Sequence, residues 1–420
     1  MNRMKVNWDS LIARRQTVNR AVKGLVNAKV YTPILISIML LGTVYLPPVI
    51  SSLAGNAIIR NSGTIAYIRP LHIEGKYIKN DLGQIVHLRG INKHGFEDHP
   101  SGHWQDPDGS IDWNNFDPEI VAVNLDAMKS WDITLLRAYS TAQFWMENTG
   151  NHRQIVKDLA TMCAGRGIYL IYSMWHILPD SDQTRMPFPP YITAEEEMVI
   201  PTEDAFADMW RSVADELKDY PSVILEFWNE PGPPSGYTEE EVMPDLQRVW
   251  QECIDAVRET GASNLISIHF GYSIWMNLNY GNGITLSYVE DYPLNDSLGN
   301  IFYSPHNYRG DFHRTDPQVN CWEYDDLKLG LEMCLVDYVL NTLEIPVIIG
   351  ESGPNMWESG VQLERELAYY ENLLTILNEW EMGYAAFWWW PTGAYQHLID
   401  GPNYQPNAAG EILRNALSSG

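Results

Sequence analysis

Two glutamates stand where short apolar runs end: Glu230 closes SVILEFWNE (222 to 230), and Glu351 lies near the end of PVIIGESG (346 to 353). A carboxylic acid that can protonate a leaving oxygen, paired with a carboxylate beside the carbon under attack, is the equipment for cleaving a glycosidic bond. Other polar residues close further runs of the same kind: Asn92 and His94, Arg137, His176, Asn229, His306-Asn307-Tyr308 and Trp388-Trp389-Trp390. Any one alone would pass for a cap or a loop contact; their recurrence at the same place in run after run points to one shared rim. A metal centre is the competing reading, since His99 and His103 have the four-residue spacing of helical zinc ligands, with His94 and Glu97 near by. Pro100-Ser101-Gly102 between them opposes the helix that spacing needs, so neither metal nor cofactor is expected.

A shared rim requires parallel strands. The remaining apolar runs are ITLLRAYS (133 to 140), GIYLIYSMW (167 to 175), NLISIHFG (264 to 271), NIFYSPHNY (300 to 308) and GYAAFWWW (383 to 390). With a strand near Leu88 they make eight, each the length of a strand buried on both faces. Helical patterns lie between them at 117 to 131, 152 to 166, 203 to 219, 237 to 260, 324 to 342 and 358 to 380, with a last piece at 408 to 418. The link at 272 to 299 shows little helical period, so its helix should be short or displaced. Eight alternating units favour a closed (β/α)8 TIM barrel over an open sheet, with its chemistry at the C-terminal ends of the strands. No Gly-x-Gly-x-x-Gly follows any of the runs, against a dinucleotide fold. Residues 71 to 92 read as a small N-terminal β-hairpin, turning near Asn80-Asp81-Leu82-Gly83 and feeding the first strand.

Composition narrows the partner. The 420 residues are 45% apolar and 20% charged, with a net charge of −26. Residues 1 to 54 hold seven Lys and Arg against Asp9 alone, which leaves 21 basic and 53 acidic residues elsewhere, a net charge of −32. Such a body repels nucleic acid and anionic lipid; a neutral sugar polymer fits it and a monomer suffices, while the charge serves equally as a solubility device for an acidic or salty habitat. Sixteen Trp and 23 Tyr are many for this length; core and helix packing accounts for more than half of them, and the rest suit sugar platforms, since indole faces stack on the flat C-H faces of pyranose rings. The four cysteines, Cys163, Cys253, Cys321 and Cys334, allow two disulfides in three connectivities; three of them fall in helical patterns and read as buried free thiols.

The chain divides into a basic N-terminal region with an apolar segment (1 to 54), a linker (55 to 70) and a barrel (71 to 420). Residues 30 to 50 carry no charge and are long enough to span a bilayer, with the basic stretch on the cytoplasmic side. Pro33, Pro47 and Pro48 oppose a soluble core helix. Ser52-Leu53-Ala54 offers a cleavage site, so signal peptide and signal anchor both stay open. Either places the remainder outside the cytoplasm, secreted or anchored at the outer face of the membrane.

Phe227-Trp228-Asn229-Glu230-Pro231 resembles the strand-four motif of the clan A glycoside hydrolases, and Ile349-Gly350-Glu351-Ser352-Gly353 resembles their strand-seven motif. With Leu88-Arg89-Gly90-Ile91-Asn92, Arg137, His176, His306-x-Tyr308 and Trp388 in order, residues 71 to 420 resemble glycoside hydrolase family 5. The resemblance implies a retaining enzyme with Glu230 as acid/base and Glu351 as nucleophile. It further implies that Arg137 and Tyr308 contact Glu351, Asn229 holds the sugar 2-hydroxyl, His176 binds the sugar and His306 lies by Glu230. A guanidinium beside Glu351 favours its ionised form, while Glu230, less compensated, can hold a proton. Strand alternation puts Trp388 and Trp390 on one face and Trp389 on the other, with Trp388 as the sugar platform. Endo-β-1,4-glucanase is the first expectation for substrate; β-mannanase and β-1,3-glucanase share these residues. A non-catalytic carbohydrate-binding barrel is the alternative of another class, opposed by the presence of both carboxylates.

Overall fold

The computed structural model describes residues 68–93, 116–179, 185–270, 286–309, 322–390, 396–400 and 404–419. The expected basic region, the apolar run at 30 to 50, residues 55 to 67 of the linker, His94, Glu97, His99, His103 and Cys321 lie outside them. Among the described residues no helix is long and apolar enough to cross a membrane.

Eight parallel strands carry the architecture: β3 (Arg89–Lys93), β4 (Leu135–Thr141), β5 (Tyr169–His176), β6 (Val223–Glu226), β7 (Ile266–Ile268), β8 (Ile301–Tyr303), β9 (Ile348–Ser352) and β10 (Gly383–Ala386). Neighbours follow in the order β8-β7-β6-β5-β4-β3-β10-β9. The parallel bridges Tyr303↔Val347 and His306↔Glu351 join the two ends, closing the (β/α)8 barrel. Alternate residues of the strands, among them Leu135, Ile171, Ile224, Leu265, Phe302 and Ile348, form an apolar cluster of their own, separate from the larger core shared with the helices. That division is the period-two pattern of a strand buried on both faces. Gly90 lets β3 and β4 approach, since a Cβ there would stand 1.8 Å from the Leu135 carbonyl oxygen.

The helices are α1 (Pro118–Ser130), α2 (Ala142–Glu147), α3 (His152–Ala164), α4 (Glu203–Leu217), α5 (Glu239–Glu259), α6 (Tyr288–Asp291), α7 (Tyr324–Met333), α8 (Val336–Asn341), α9 (Val361–Glu379) and α10 (Ala408–Ser419). Their starts follow local chemistry. Asp117 Oδ1 accepts from the Glu119 amide at 2.8 Å ahead of Pro118, and Thr202 Oγ1 accepts from the Ala205 amide at 3.1 Å. Among the described residues of the link from β7 to β8 stands the four-residue α6.

The expected turn at Asn80-Asp81-Leu82-Gly83 is present, Asn80 Oδ1 accepting from the Leu82 and Gln84 amides and Lys79 pairing antiparallel with Ile85; it follows a further hairpin, β1 (Leu71–Glu74) and β2 (Tyr77–Asn80), which turns at Gly75-Lys76, where Gly75 supplies φ 58°. Two expectations need correction. The helical pattern at 324 to 342 is two helices, because Leu335 turns left-handed (φ 65°) and the Cys334 carbonyl accepts from the Leu286 amide. The run at 222 to 230 leaves the strand after Glu226, so Phe227–Glu230 form the rim rather than the ladder.

Candidate active site

The C-terminal ends of β6 and β9 bring Glu230 and Glu351 together. One oxygen of each lies with a ring nitrogen of His306 in a set whose members are all within 4.8 Å of one another. His306 Nδ1 is 2.9 Å from Glu230 Oε1 and 3.4 Å from Glu351 Oε2. The Glu351 side chain is 7% exposed and that of Glu230 19%, so Glu230 is the more open to an incoming molecule. Its backbone is left-handed (φ 47°), a conformation costly for a residue with a Cβ, and its amide donates to His269 Nδ1 at 3.1 Å. Gly350 leaves room for the His306 ring, which would lie 3.2 Å from a Cβ there.

Glu351 is held from both sides. Arg137 Nη1 donates to Oε1 at 2.8 Å, and the Tyr139 hydroxyl donates to the same oxygen. Tyr308 donates to Oε2 at 2.8 Å. Burial and then, for Tyr308, the Glu351 charge push both phenols well above their ordinary range, so they stay protonated and serve as donors. Burial takes His306 down to about 4, leaving it neutral at neutral pH. Arg137 also donates to Asn92 Oδ1 (3.0 Å) and Asn229 Oδ1 (2.8 Å). Asn92 in turn donates from Nδ2 to the Gly350 and Ala385 carbonyls, tying β3 to β9 and β10. With Glu351 occupied by donors and a guanidinium alongside, the Glu230–His306–Glu351 set suits proton transfer and attack at carbon better than a cation.

Of the sequence-predicted residues, Arg137, Asn229, Glu230, His306, Tyr308 and Glu351 meet in this one network. His176 sits further out at the end of β5, half-buried, its ring 5.0 Å from Trp175, which lies 4.7 Å from Tyr139. His94 lies outside the described residues. Trp388 and Trp390 stack on one another at 4.7 Å, while Trp389 turns away, donating to Asn124 Oδ1 and packing edge-on against Trp131. Trp388 is only 8% exposed; Phe387, half-buried, is stacked on Trp388 and edge-on to Tyr308 at 6.3 Å. Cys163, Cys253 and Cys334 are buried, Cys163 and Cys253 as free thiols, and burial takes Cys163 and Cys334 up to about 12.

Sequence reasoning missed Tyr139, His269, Phe387 and above all Glu226. Glu226 is fully buried and ion-paired to Arg137. A charge inside an apolar strand run, four residues and thus an even number before Glu230, was the available signal.

The family described as Cellulase (glycosyl hydrolase family 5) matches residues 83–393. Endoglucanase A of Clostridium longisporum is 24% identical over 298 residues, 66% of this chain and 52% of that protein. Endoglucanase A of Evansella cellulosilytica is 26% identical over 234 residues, 54% of this chain and 37% of that protein. The chain thus spans about half the length, or less, of these relatives. Among solved structures, a hyperthermophilic endocellulase of Pyrococcus horikoshii shares the fold with a TM-score of 0.61 at 17% identity, covering 84% of this chain and 99% of that one. A β-glucanase of Saccharophagus degradans does so with a TM-score of 0.59 at 15% identity, covering 84% and 93%.

Proposed function

Because this chain belongs to glycosyl hydrolase family 5, the cellulase family, we propose that it is a retaining endo-β-1,4-glucanase with Glu351 as nucleophile and Glu230 as acid/base. The observation that carries the reading is the separation of the pair: oxygens within 4.8 Å of each other leave no room for a water between carboxylate and sugar, as inversion requires, and match the close spacing of double displacement. Glu351 attacks the anomeric carbon from below the ring as Glu230 gives its proton to the departing glycosidic oxygen. The resulting glycosyl ester is then cleaved by water that Glu230, now the base, deprotonates, so the β-configuration returns.

The other groups act through this pair. Arg137, Tyr139 and Tyr308 fix both oxygens of Glu351, leaving one direction of attack. Neutral His306 holds Glu230 toward the same point. Asn229, whose Oδ1 is occupied by Arg137, offers its Nδ2 to the sugar 2-hydroxyl. Phe387 and Trp388 form the aromatic wall for the ring, and His176 and His94 bind sugar at its edges. A β-1,4-glucan substrate agrees with the endoglucanase relatives and with the cellotetraose complexes of the P. horikoshii endocellulase and the S. degradans β-glucanase. Residues 1 to 54 act in export, cleaved or retained as an anchor, and the catalytic body works outside the cytoplasm as a monomer.

Release of reducing sugar from carboxymethylcellulose, glucomannan, laminarin and xylan tests the substrate. Greatest kcat/KM on carboxymethylcellulose is expected. Greatest kcat/KM on glucomannan or laminarin would reassign the linkage, and no release from any would leave a sugar-binding barrel.

A further inference from the structure

Beneath the carboxylate pair the barrel interior carries a polar layer. Glu226 is flanked in register by Ser173 of β5 and Ser267 of β7, with Ser304 beyond Ser267. Its Oε1 accepts from Arg137 Nε (2.8 Å), Arg137 Nη2 and Ser173 Oγ (2.8 Å); its Oε2 accepts from Ser267 Oγ (2.6 Å) and lies 2.9 Å from Ser304 Oγ. Neither Glu226 nor Arg137 is exposed at all. Burying such a pair is expensive, and the layer below it is filled with apolar side chains, so packing does not call for a charge at this level.

What the charge does follows from the guanidinium fork. A free arginine side chain meets a carboxylate through two parallel N–H bonds. Here Nε and Nη2 are taken by Glu226, and Nη2 also reaches Asn229. Only Nη1 is left for Glu351. The single positive charge is divided between two carboxylates, and the larger share of its contacts goes to the one that cannot reach a substrate.

We propose that Glu226 is a positioning residue for glycoside cleavage: it sets the plane of Arg137 and draws off part of its charge, so that Glu351 is oriented without being neutralised and keeps its strength as a nucleophile. Although burial alone would push the Glu226 carboxyl up, Arg137 and the serine hydroxyls hold it below its ordinary value, so the charge is present at working pH. The same charge acts on His306, which follows β8 and lies 2.9 Å from Glu230; Glu351 of β9, held by Arg137 of β4 and by Tyr308, and His269 after β7, which accepts from the Glu230 amide, complete the surroundings of the Glu230 proton. Removing one negative charge from this set makes loss of the acid's proton easier.

The inference rests on the reading of Glu351 and Glu230 as the reacting pair, and its test keeps the two apart. In the full-length chain, Glu226→Gln keeps the shape and loses the charge. On carboxymethylcellulose its kcat should fall about 10²-fold with KM within about threefold, the effect of a misdirected reacting group. The basic limb of its pH profile should move to lower pH by about half a unit. Glu226→Asp keeps the charge but withdraws it from Arg137, so its kcat should fall while the basic limb stays in place. A Glu226→Gln enzyme with kcat within threefold of wild type, or with reduced kcat and an unmoved basic limb, overturns the inference. If Glu226→Gln does not fold, wild-type kcat in Glu226→Asp overturns it instead. Glu351→Ala is assayed alongside: activity there removes the underlying reading, whereas its silence together with a wild-type-like Glu226→Gln removes only this inference.

Discussion

His152 opens α3 yet is only 2% exposed, so its protonation couples folding to pH. Its Nε2 lies 2.8 Å from Ser140 Oγ and 3.2 Å from the Tyr172 hydroxyl, and burial lowers its pKa from 6.5 to about 4. The folded value is depressed, so between pH 6.5 and about 4 the unfolded chain binds a proton that the folded chain refuses. Stability therefore falls as pH drops through that window and is unaffected by this group above it. Between pH 7 and 4.5 the linkage relation gives a loss of about 2 kcal/mol from His152. His306, lowered to about 4 by the same cause, titrates in the same window and remains in both proteins, so the comparison isolates one residue. His152→Gln keeps a hydrogen-bonding group for Ser140 and Tyr172 but cannot titrate. Urea unfolding of both proteins at pH 7 and 4.5 should show wild type losing about 2 kcal/mol more than the variant. Equal losses, or an imidazole NMR titration of His152 near 6.5, would refute the reasoning.

Other predictions address the chemistry and the architecture. Proton NMR of early products should show the β-anomer first; the α-anomer would rule out double displacement. In Glu351→Gly, azide should restore turnover and yield an α-glycosyl azide, whereas a β-azide would exchange the roles of the two glutamates. Gly90→Ala should cost at least about 3 kcal/mol, read as a lowered thermal midpoint, because its Cβ would meet the Leu135 carbonyl oxygen at 1.8 Å. A protein starting near Ile58 should keep kcat/KM on soluble β-glucan within about tenfold of the full chain, roughly 1.4 kcal/mol; a greater loss would mean that the N-terminal residues pack on the barrel.

Much of the barrel was legible because its cues are local. A strand buried on both faces reads as an unbroken apolar run, and the polar residue that ends it marks the rim, so Arg137, Asn229, Glu230, His306, Tyr308 and Glu351 could be picked from four separate stretches. Element ends were less legible where a distant group intervened. Cys334 gives its carbonyl to Leu286, 48 positions away, and one helical pattern becomes two.

The sequence by itself determined the barrel, its rim and the pair of carboxylates, since periodicity and motif order are properties of neighbouring residues. Only the tertiary structure decided how charge is distributed there. Glu226 looked like one acid in an apolar run until strand register set it between Ser173 and Ser267 and closure set Arg137 against it. The aromatic packing was decided in the same way: Phe387, which no motif singles out, lies edge-on to Tyr308, while Trp388 is nearly covered. Burial and partnership across a closed sheet arise from residues tens to hundreds of positions apart. Because charge and pKa depend on what surrounds a group rather than on what precedes it, the fold had to be closed before they could be assigned.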